Sequence, residues 1–336
     1  MKILITSPMP FALAHGGAQI QLEQTMTALK NVGVELEPLR WWDAEQRGDL
    51  IHHFFGRTSA EHVRLAQQKK IKVVIGELLT GQGSRTRHQL RLQKFISRTV
   101  ERFAPRSFTA AFNWDSYRLG DAIIVNTSWE AHLMNYLFDA PKERIHVVPN
   151  GIEEVFLNSP ATARGPWLVC TATLTERKRV LELAQAAVHA QTPVWIIGKA
   201  YAETDPYAQQ FYALARQHPQ IIRYEGPVDD RAQLAQIYRA ARGFVLLSTK
   251  ESLSLSALEA GACGCPLLLT DLPWARTTFV SAASYCPIAS PARTAGFLKS
   301  FYAQAPTLPI PPRPLTWLEV ANQLKAIYEQ VLQTKS

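Results

Sequence analysis

Short apolar runs alternate along the chain with amphipathic segments, and this alternation predicts an α/β protein. Runs of three to eight residues rich in Val, Ile and Leu are typical of buried parallel strands. Segments such as Gln19–Lys30 repeat apolar residues at helical spacing, which predicts helices between the strands. The predicted strands occupy residues 2–7, 34–40, 49–56, 71–75 and 121–128, and then 167–173, 194–198, 243–248 and 265–271.

The strand–helix scheme starts again after residue 158, which predicts two domains of ordinary size. Asn150-Gly151 is a natural turn at the end of the first domain, and a linker follows through Asn158-Ser159-Pro160. Residues 306–314 are rich in proline and predict a stiff, extended segment before a last amphipathic helix. We therefore assign residues 1–158 to the first domain, 159–314 to the second and 315–336 to the last helix.

The stretch from Lys250 to Gly264 lies between two predicted strands and concentrates the candidate chemistry. Ser254 or Ser256 can cap a short helix, and Gly261 or Gly264 can end it. Glu251 then lies on the loop after a strand, and Glu259 lies within the helix. Backbone N–H groups at a helix start suit a phosphate, and carboxylates suit the hydroxyls of a sugar. The plainer interpretation is one surface glutamate and one capping glutamate.

Glu251, seven residues and Glu259, followed by Ala-x-Ala-Cys-Gly-x-Pro with the cysteine at 263, resemble a known motif. It is the donor-site motif of retaining glycosyltransferases of family 4 (glycosyl transferases group 1). This chain departs from the motif in that Ser252 and Ser254 stand where glycines are usual, and Leu253 replaces an aromatic residue. The resemblance implies the glycosyltransferase B fold, in which two Rossmann-like, doubly wound parallel-sheet domains face a cleft and the C-terminal helix returns to the first domain.

The resemblance also implies a donor site for a nucleotide-diphosphate sugar. It assigns catalytic roles to Glu251, which would hold the sugar hydroxyls, and Lys178, which would hold the diphosphate, while Glu259 would hold the ribose. Thr173 stands where the family has a second diphosphate-binding residue, an arginine, so Arg177 and Arg179 are candidates to compensate. The further donor-binding candidates are Gly16, Gly17, Val228, Ser252, Leu253, Ser254, Leu255 and Ser256.

Three polar residues near the ends of the third and fourth strands are candidates for the acceptor side of the cleft. His52 or His53 is similar to a histidine of the family's Asp-x-x-x-His segment, and each is equally compatible with a core position. Many family members carry a catalytic histidine after the fourth strand. This chain has Gly76-Glu77 there, so no catalytic histidine is assigned and Glu77 is the nearest polar substitute.

Residues 85–106 predict a helix with a basic face beside an apolar one. Its cations share one side and are Arg87, Arg91, Lys94, Arg98 and Arg102; its apolar residues are Leu92, Phe95, Ile96 and Phe103. Such a helix can rest on an anionic membrane surface. The alternative is a solvated charged helix that packs through its apolar stripe.

Composition adds limits to these predictions. A hydrophobic content of 47% with 19% charged residues is typical of a globular protein, and no apolar run is long enough to span a bilayer. The N-terminal apolar run is too short for a signal peptide, so we expect a cytoplasmic protein, with peripheral attachment to the inner face of the membrane as an option.

The net charge of +8 is spread over both halves and identifies no partner. The four cysteines predict buried thiols, and no metal set or Asp-x-Asp motif occurs, so no cofactor or metal is expected.

These observations favour a retaining, metal-independent transferase that moves a sugar from its nucleotide diphosphate to a glycan, lipid or small-molecule hydroxyl. A catalytically silent sugar-nucleotide binder and a sugar-nucleotide epimerase of the same fold are the alternatives. A nucleic-acid-binding protein is disfavoured, because no reading module is present.

Overall fold

A computed structural model describes residues 1–8, 11, 16–105, 109, 112–158 and 162–334. The end of the basic segment at Arg106 and the linker residues Ser159-Pro160 lie outside the described residues. The chain forms two units, residues 1–151 with 315–336, and residues 152–314.

The first unit contains a parallel sheet of six described strands in the order β2-β1-β3-β4-β5-β6. The strand order runs outward in both directions from β1, and this reversal of winding makes the arrangement doubly wound. The strands are β1 (Lys2–Thr6), β2 (Glu35–Pro38), β3 (Leu50–Phe54), β4 (Lys72–Gly76), β5 (Ala122–Val125) and β6 (Ile145–Val147). The helices between them are α1 (Gly17–Asn31), α2 (Ala60–Gln68), α3 (Thr80–Gly83), α4 (Arg87–Phe103), α5 (Asp115–Leu119) and α6 (Ser128–Phe138).

The second unit contains a parallel sheet of six described strands in the order β12-β11-β10-β7-β8-β9. The direction of winding reverses between β7 and β10, as in dinucleotide-binding folds. The strands are β7 (Leu168–Thr171), β8 (Val194–Ile197), β9 (Ile222–Tyr224), β10 (Gly243–Leu246), β11 (Leu267–Thr270) and β12 (Ser284–Cys286). The helices are α7 (Val180–Ala190), α8 (Pro206–Gln217), α9 (Arg231–Ala240), α10 (Leu255–Ala262), α11 (Pro273–Phe279) and α12 (Pro291–Gln304).

The central strands of both sheets are buried on both faces, which explains why their sequences are unbroken apolar runs. Val73, Val74 and Ile75 in β4 are buried, as are Phe244, Val245 and Leu246 in β10. Helices cover both sides of a parallel sheet, so alternate side chains have no solvent face to occupy. The predicted fold class is confirmed.

The last helix, α13 (Trp317–Gln333), belongs to the first unit, as predicted. Thr316 and Glu319 form a reciprocal cap, in which Glu319 Oε2 accepts from the Thr316 N–H at 2.6 Å and the Thr316 hydroxyl accepts from the Glu319 N–H at 3.1 Å. Helix α13 packs against α1, and Lys325 Nζ donates to the carbonyl of Val32 at 2.9 Å. Helix α13 therefore completes the hydrophobic core of the first unit beside α1.

Residues 152–158 pack with the second unit, whereas the sequence analysis ended the first domain at 158. Ile152 and Phe156 are buried in the hydrophobic core of the second unit. The chain crosses between units at Gly151, where an added Cβ would lie 2.7 Å from the backbone nitrogen of Trp317. The composition of the chain changes around Pro160. The buried side chains of residues 152–158 nevertheless place this segment in the second unit.

Helix α4 begins with a capping box made by Thr86 and Gln89 and buries Leu90. Three of its five predicted surface cations contact other side chains of the unit, and one of them, Arg102, lies over the ring of its neighbour Phe103, 5.6 Å from the ring centre. Lys94 Nζ lies 3.9 Å from the centre of the Tyr136 ring, and Arg98 pairs with Asp139 and, at 3.2 Å, with Glu101. Among the described residues, no helix is both long enough and apolar enough to cross a membrane.

Candidate functional site

The loops after β7 and β10 meet at the point where the winding of the second sheet reverses. The two strands are paired neighbours, with Gly243 beside Leu168 and Phe244 beside Val169. Three hydrogen bonds to one carbonyl tie the loops together, because the Arg177 carbonyl accepts from the Thr249 N–H at 2.8 Å, the Ser248 hydroxyl at 3.2 Å and the Thr249 hydroxyl at 3.3 Å. In open α/β sheets, this edge is where ligands bind.

The carboxylate of Glu251 is buried at this edge and contacts two of the predicted cations. Lys178 Nζ donates to Glu251 Oε1, and Arg177 Nη1 donates to the same oxygen at 3.1 Å. Arg177 Nη1 also donates to the carbonyl of Lys250 at 2.8 Å. Burial alone would raise the pKa of Glu251, but the charges of Lys178 and Arg177 hold that pKa below its ordinary value. The carboxylate is therefore ionised at neutral pH and fixes the position of both cations.

Helix α10 begins four residues after Glu251, at Leu255. The Ser254 hydroxyl caps it by accepting from the Ala257 N–H at 3.3 Å, and Ser256 Oγ lies 3.1 Å from Ser254 Oγ. Ser252 and Leu253 are buried, while Leu255 and Ser256 are half-buried. Gly264 follows the helix with φ of 69°, so it ends the helix where a residue with a Cβ would be strained. The two serine alternatives and the two glycine alternatives thus resolve to Ser254 and Gly264.

The carboxylate of Glu259 is buried on α10 and pairs with Arg231, a residue that the sequence analysis did not select. Arg231 Nη2 donates to Glu259 Oε1, and Arg231 Nε donates to Glu153 Oε2 at 2.6 Å. The guanidinium also lies over the Phe156 ring, 4.7 Å from its centre. Burial raises the pKa of Glu259, and Arg231 offsets that effect in part. The sequence signal for Arg231 is its place at the first position of a helix that follows a strand.

Arg179 does not join the group formed by Arg177 and Lys178, so no contact supports its predicted compensating role. It adopts a left-handed conformation, with φ of 53°, and is buried. Its guanidinium donates to the carbonyl of Ala289, so it anchors a different loop. Thr173 is half-buried on the loop after β7, and Val228 is half-buried just before the Asp230 cap of α9.

Gly16 and Gly17 lie at the start of α1 in the first unit. Gly16 has φ of 148°, which favours glycine, and its carbonyl accepts from the Ile20 N–H at 3.3 Å. Gly17 is the first residue of the helix. The neighbouring His15 lies outside the described residues.

His52 occupies a core position and lines a small cavity in the first unit. Its exposed fraction is 1%, its ring stacks on Phe54 with centroids 3.8 Å apart, and its Nδ1 is 2.7 Å from the Tyr328 hydroxyl. Its Nε2 is buried and has no hydrogen-bond partner among the described residues. The cavity, of about 30 Å³, is also lined by Glu77 and Asn126 and can hold one water.

Glu77 is held by the fold at the carboxyl end of β4. Its Oε1 accepts from the Leu78 N–H at 2.9 Å, and its Oε2 accepts from the Tyr117 hydroxyl. Arg57 Nε donates to the same hydroxyl at 3.1 Å. His53 is half-buried beside this region, and burial lowers the pKa of its imidazole to about 4.

The first unit should lose stability in mild acid because of His52. Burial lowers the pKa of His52 from 6.5 to about 3, so between these values only the unfolded chain binds the proton. Stability is present above pH 6.5 and is lost as the pH falls towards 3, at about 1 kcal/mol per pH unit. Urea unfolding at pH 7 and pH 5 should show a smaller loss for His52→Asn than for the unaltered protein. An equal loss in both proteins would contradict the assignment to His52. The pH dependence of stability that remains in His52→Asn is explained in part by His53, whose pKa burial also lowers.

Comparison with known proteins gives two kinds of match. Residues 165–289 match the family model described as "Glycosyl transferases group 1". A D-inositol 3-phosphate glycosyltransferase of Xylanimonas cellulosilytica is 31% identical over 177 residues, which cover 47% of this chain and 42% of that protein. The enzyme of the same name from Jonesia denitrificans is 29% identical, with 45% and 41% covered. The matches thus span less than half the length of these curated relatives.

Solved structures match over almost the whole chain. Sucrose-phosphate synthase from Thermosynechococcus elongatus superimposes with a TM-score of 0.71 at 18% identity, covering 98% of each chain. HepE from Anabaena, crystallised with UDP and glucose, gives a TM-score of 0.64 at 13% identity, covering 98% of this chain and 99% of that one. At these identities the likeness shows a shared fold.

Proposed function

We propose, from the match of residues 165–289 to the family model described as "Glycosyl transferases group 1", that this protein transfers a sugar from a nucleotide diphosphate to an acceptor hydroxyl. The observation that carries the proposal is the contact of Lys178 and Arg177 with the buried Glu251 at the switch point of the second sheet. A structural ion pair needs no such edge position, whereas a donor site requires cations and a carboxylate where the strand ends open. Complexes of the similar-fold HepE with UDP-glucose and with UDP support a uridine nucleotide as the first donor to test.

The proposed roles follow from the charge of each group. Lys178 and Arg177, with the N–H groups at the start of α10, bind the diphosphate, whose negative charge they complement. Glu251 accepts hydrogen bonds from the hydroxyls of the donor sugar, and Glu259 accepts them from the ribose. Within the second unit, the other proposed donor contacts are Thr173, Val228, Ser252, Leu253, Leu255 and Ser256, with Ser254 as the helix cap.

Transfer makes one bond to the anomeric carbon and breaks one. The acceptor oxygen bonds to that carbon on the face from which the diphosphate departs, so the anomeric configuration is retained. The bond between the anomeric carbon and the diphosphate oxygen breaks, and the acceptor proton passes to the departing phosphate oxygen. Positive charge develops on the sugar and negative charge on the diphosphate, and Lys178 stabilises the latter. Because the side-chain and helix-start donors supply this stabilisation, the reaction needs no metal, and a chelator should leave the rate unchanged.

The acceptor is a glycan, a lipid or a small-molecule hydroxyl, and the reaction takes place in the cytoplasm, where nucleotide sugars are the donors. Release of free nucleotide from a panel of nucleotide sugars, measured with and without added acceptors, tests the transferase directly. A protein that binds a donor but releases no nucleotide with any acceptor would be the silent binder instead. Interconversion of the donor sugar without release would identify an epimerase.

Replacing Glu259 by glutamine should weaken nucleotide binding more than it slows transfer at saturating donor. The substitution removes the charged acceptor for the ribose hydroxyls, which is worth about 1.5–3 kcal/mol, so the Kd for UDP should rise about tenfold or more. Titration calorimetry with UDP measures the change. Glu203→Gln is the matched control, because Glu203 is exposed in the same unit. Equal affinities for the two variants would contradict the ribose assignment.

A further inference from the structure

Helix α4 leaves its apolar stripe in solvent, contrary to the alternative in which that stripe packs on the protein. The exposed fractions are 59% for Leu92, 68% for Phe95, 51% for Ile96 and 76% for Phe103. The helix instead packs through its opposite side, where Leu90 is buried and Val100 is half-buried. Single exposed apolar side chains are common on protein surfaces, but four large ones on one helix form a patch of the kind that marks an interaction site.

The apolar stripe lies beside the cations on the solvent-facing half of the helix. At about 100° per residue, Phe95, Leu92, Phe103 and Ile96 span an arc of about 100°, and the five cations fill the adjoining arc of about 80°. An apolar strip and a basic strip side by side describe a helix that lies in the plane of a membrane interface.

Three of the cations on this surface are not neutralised by the protein. No ion pair among the described residues involves Arg87, Arg91 or Arg102, and all three side chains are exposed. Arg98 differs, because Asp139 and Glu101 neutralise it, so it is a weaker candidate for lipid contact than the sequence indicates. The only acidic residue of α4 is Glu101, which is half-buried and pairs with Arg98 and Arg118.

We propose that α4 is a docking surface for anionic lipid bilayers, with Phe95, Ile96, Leu92 and Phe103 inserted among the lipids and Arg87, Arg91 and Arg102 against the phosphates. The apolar strip supplies burial, and the unpaired cations select a negatively charged surface. The proposal does not depend on the donor site, since α4 belongs to the first unit.

Co-sedimentation with vesicles tests the surface. Vesicles of equal parts phosphatidylglycerol and phosphatidylcholine should bind the full chain at low salt, and vesicles of phosphatidylcholine alone should bind it much less. Phe95→Ser with Ile96→Ser should abolish binding to the mixed vesicles at any salt. Arg87→Ser with Arg91→Ser should weaken binding at least tenfold at low salt, because surface cations near an anionic leaflet each contribute substantially.

A control variant, Leu65→Ser with Ile310→Ser, removes two exposed apolar side chains from other surfaces and should bind like the unaltered protein. All variants should show unchanged thermal unfolding, since none of the four substituted α4 side chains is buried. Three results would overturn the proposal: no binding to the mixed vesicles, equal binding by the Phe95/Ile96 variant, or equal loss in the Leu65/Ile310 control. Concentration-dependent dimers that dissociate in the Phe95/Ile96 variant, without vesicle binding, would assign the surface to a second copy of the chain.

Discussion

Lys178→Met should lower kcat for sugar transfer by about two to three orders of magnitude, because it removes the cation that stabilises the departing diphosphate. The Kd for the donor should change much less than kcat, since the charge on the diphosphate grows as the bond breaks. Initial rates of nucleotide release at saturating donor measure the effect. The control is Lys299→Met, which removes an exposed lysine from α12 of the same unit.

The same substitution leaves the buried Glu251 with Arg177 as a cationic partner, so a loss of folding stability has to be separated from a loss of chemistry. Removing one member of a buried ion pair typically costs about 3–5 kcal/mol. Lys178→Met combined with Glu251→Gln should recover much of that stability but none of the activity. A double variant with recovered activity, or a Lys178→Met protein as active as Lys299→Met, would refute the role of Lys178.

Gly198→Ala should be among the most damaging single-methyl changes in the second unit. An added Cβ would lie 2.0 Å from the carbonyl oxygen of Ala172, and Gly198 has φ of 147°, which side chains rarely adopt. Both the contact and the backbone strain involve rigid parts of neighbouring strands, so we expect a loss of about 3 kcal/mol or more. This corresponds to a fall in Tm of roughly 6–12 °C for a unit of this size. Since Ala172 precedes Thr173, the displaced backbone should also disturb the loop that carries Lys178.

Gly296→Ala provides the matched control for this prediction. Gly296 lies inside α12 of the same unit, and an added Cβ there meets no atom within 4 Å. Alanine is favoured in a helix, so this variant should gain about 0.5–1 kcal/mol. Thermal and urea unfolding of the two variants give the comparison. A Gly198→Ala protein as stable as the unaltered one would show that the strands can separate without cost.

The fold could be predicted from the sequence because its determinants are local. Runs such as residues 243–246 are apolar on both faces, and capping residues such as Ser254 and Thr316 mark where helices begin. The strand and helix around Glu251 follow from these signals. Shorter helices such as α3 and α5 were not predicted, because neither is long enough to show a helical period.

The partners of the site residues could not be predicted, because they come from distant parts of the chain. Arg177, Lys178 and Arg179 are consecutive and chemically similar, yet a left-handed turn sends Arg179 to Ala289 while its neighbours contact Glu251. Arg231 meets Glu153 and Glu259 from a helix between them in sequence. His52 is placed by Tyr328, 276 positions away. These hydrogen-bond partners depend on which elements the fold brings together, and the local sequence does not show that.

The return of α13 to the first unit has a consequence for biosynthesis. The second unit is one continuous segment, so a ribosome releases all of it before α13 emerges. Until then the nascent first unit lacks Trp317, Val320, Leu324 and Tyr328, and the imidazole of His52 has no hydroxyl to contact. The segment translated first is therefore the last to mature, because part of its hydrophobic core is translated only with α13.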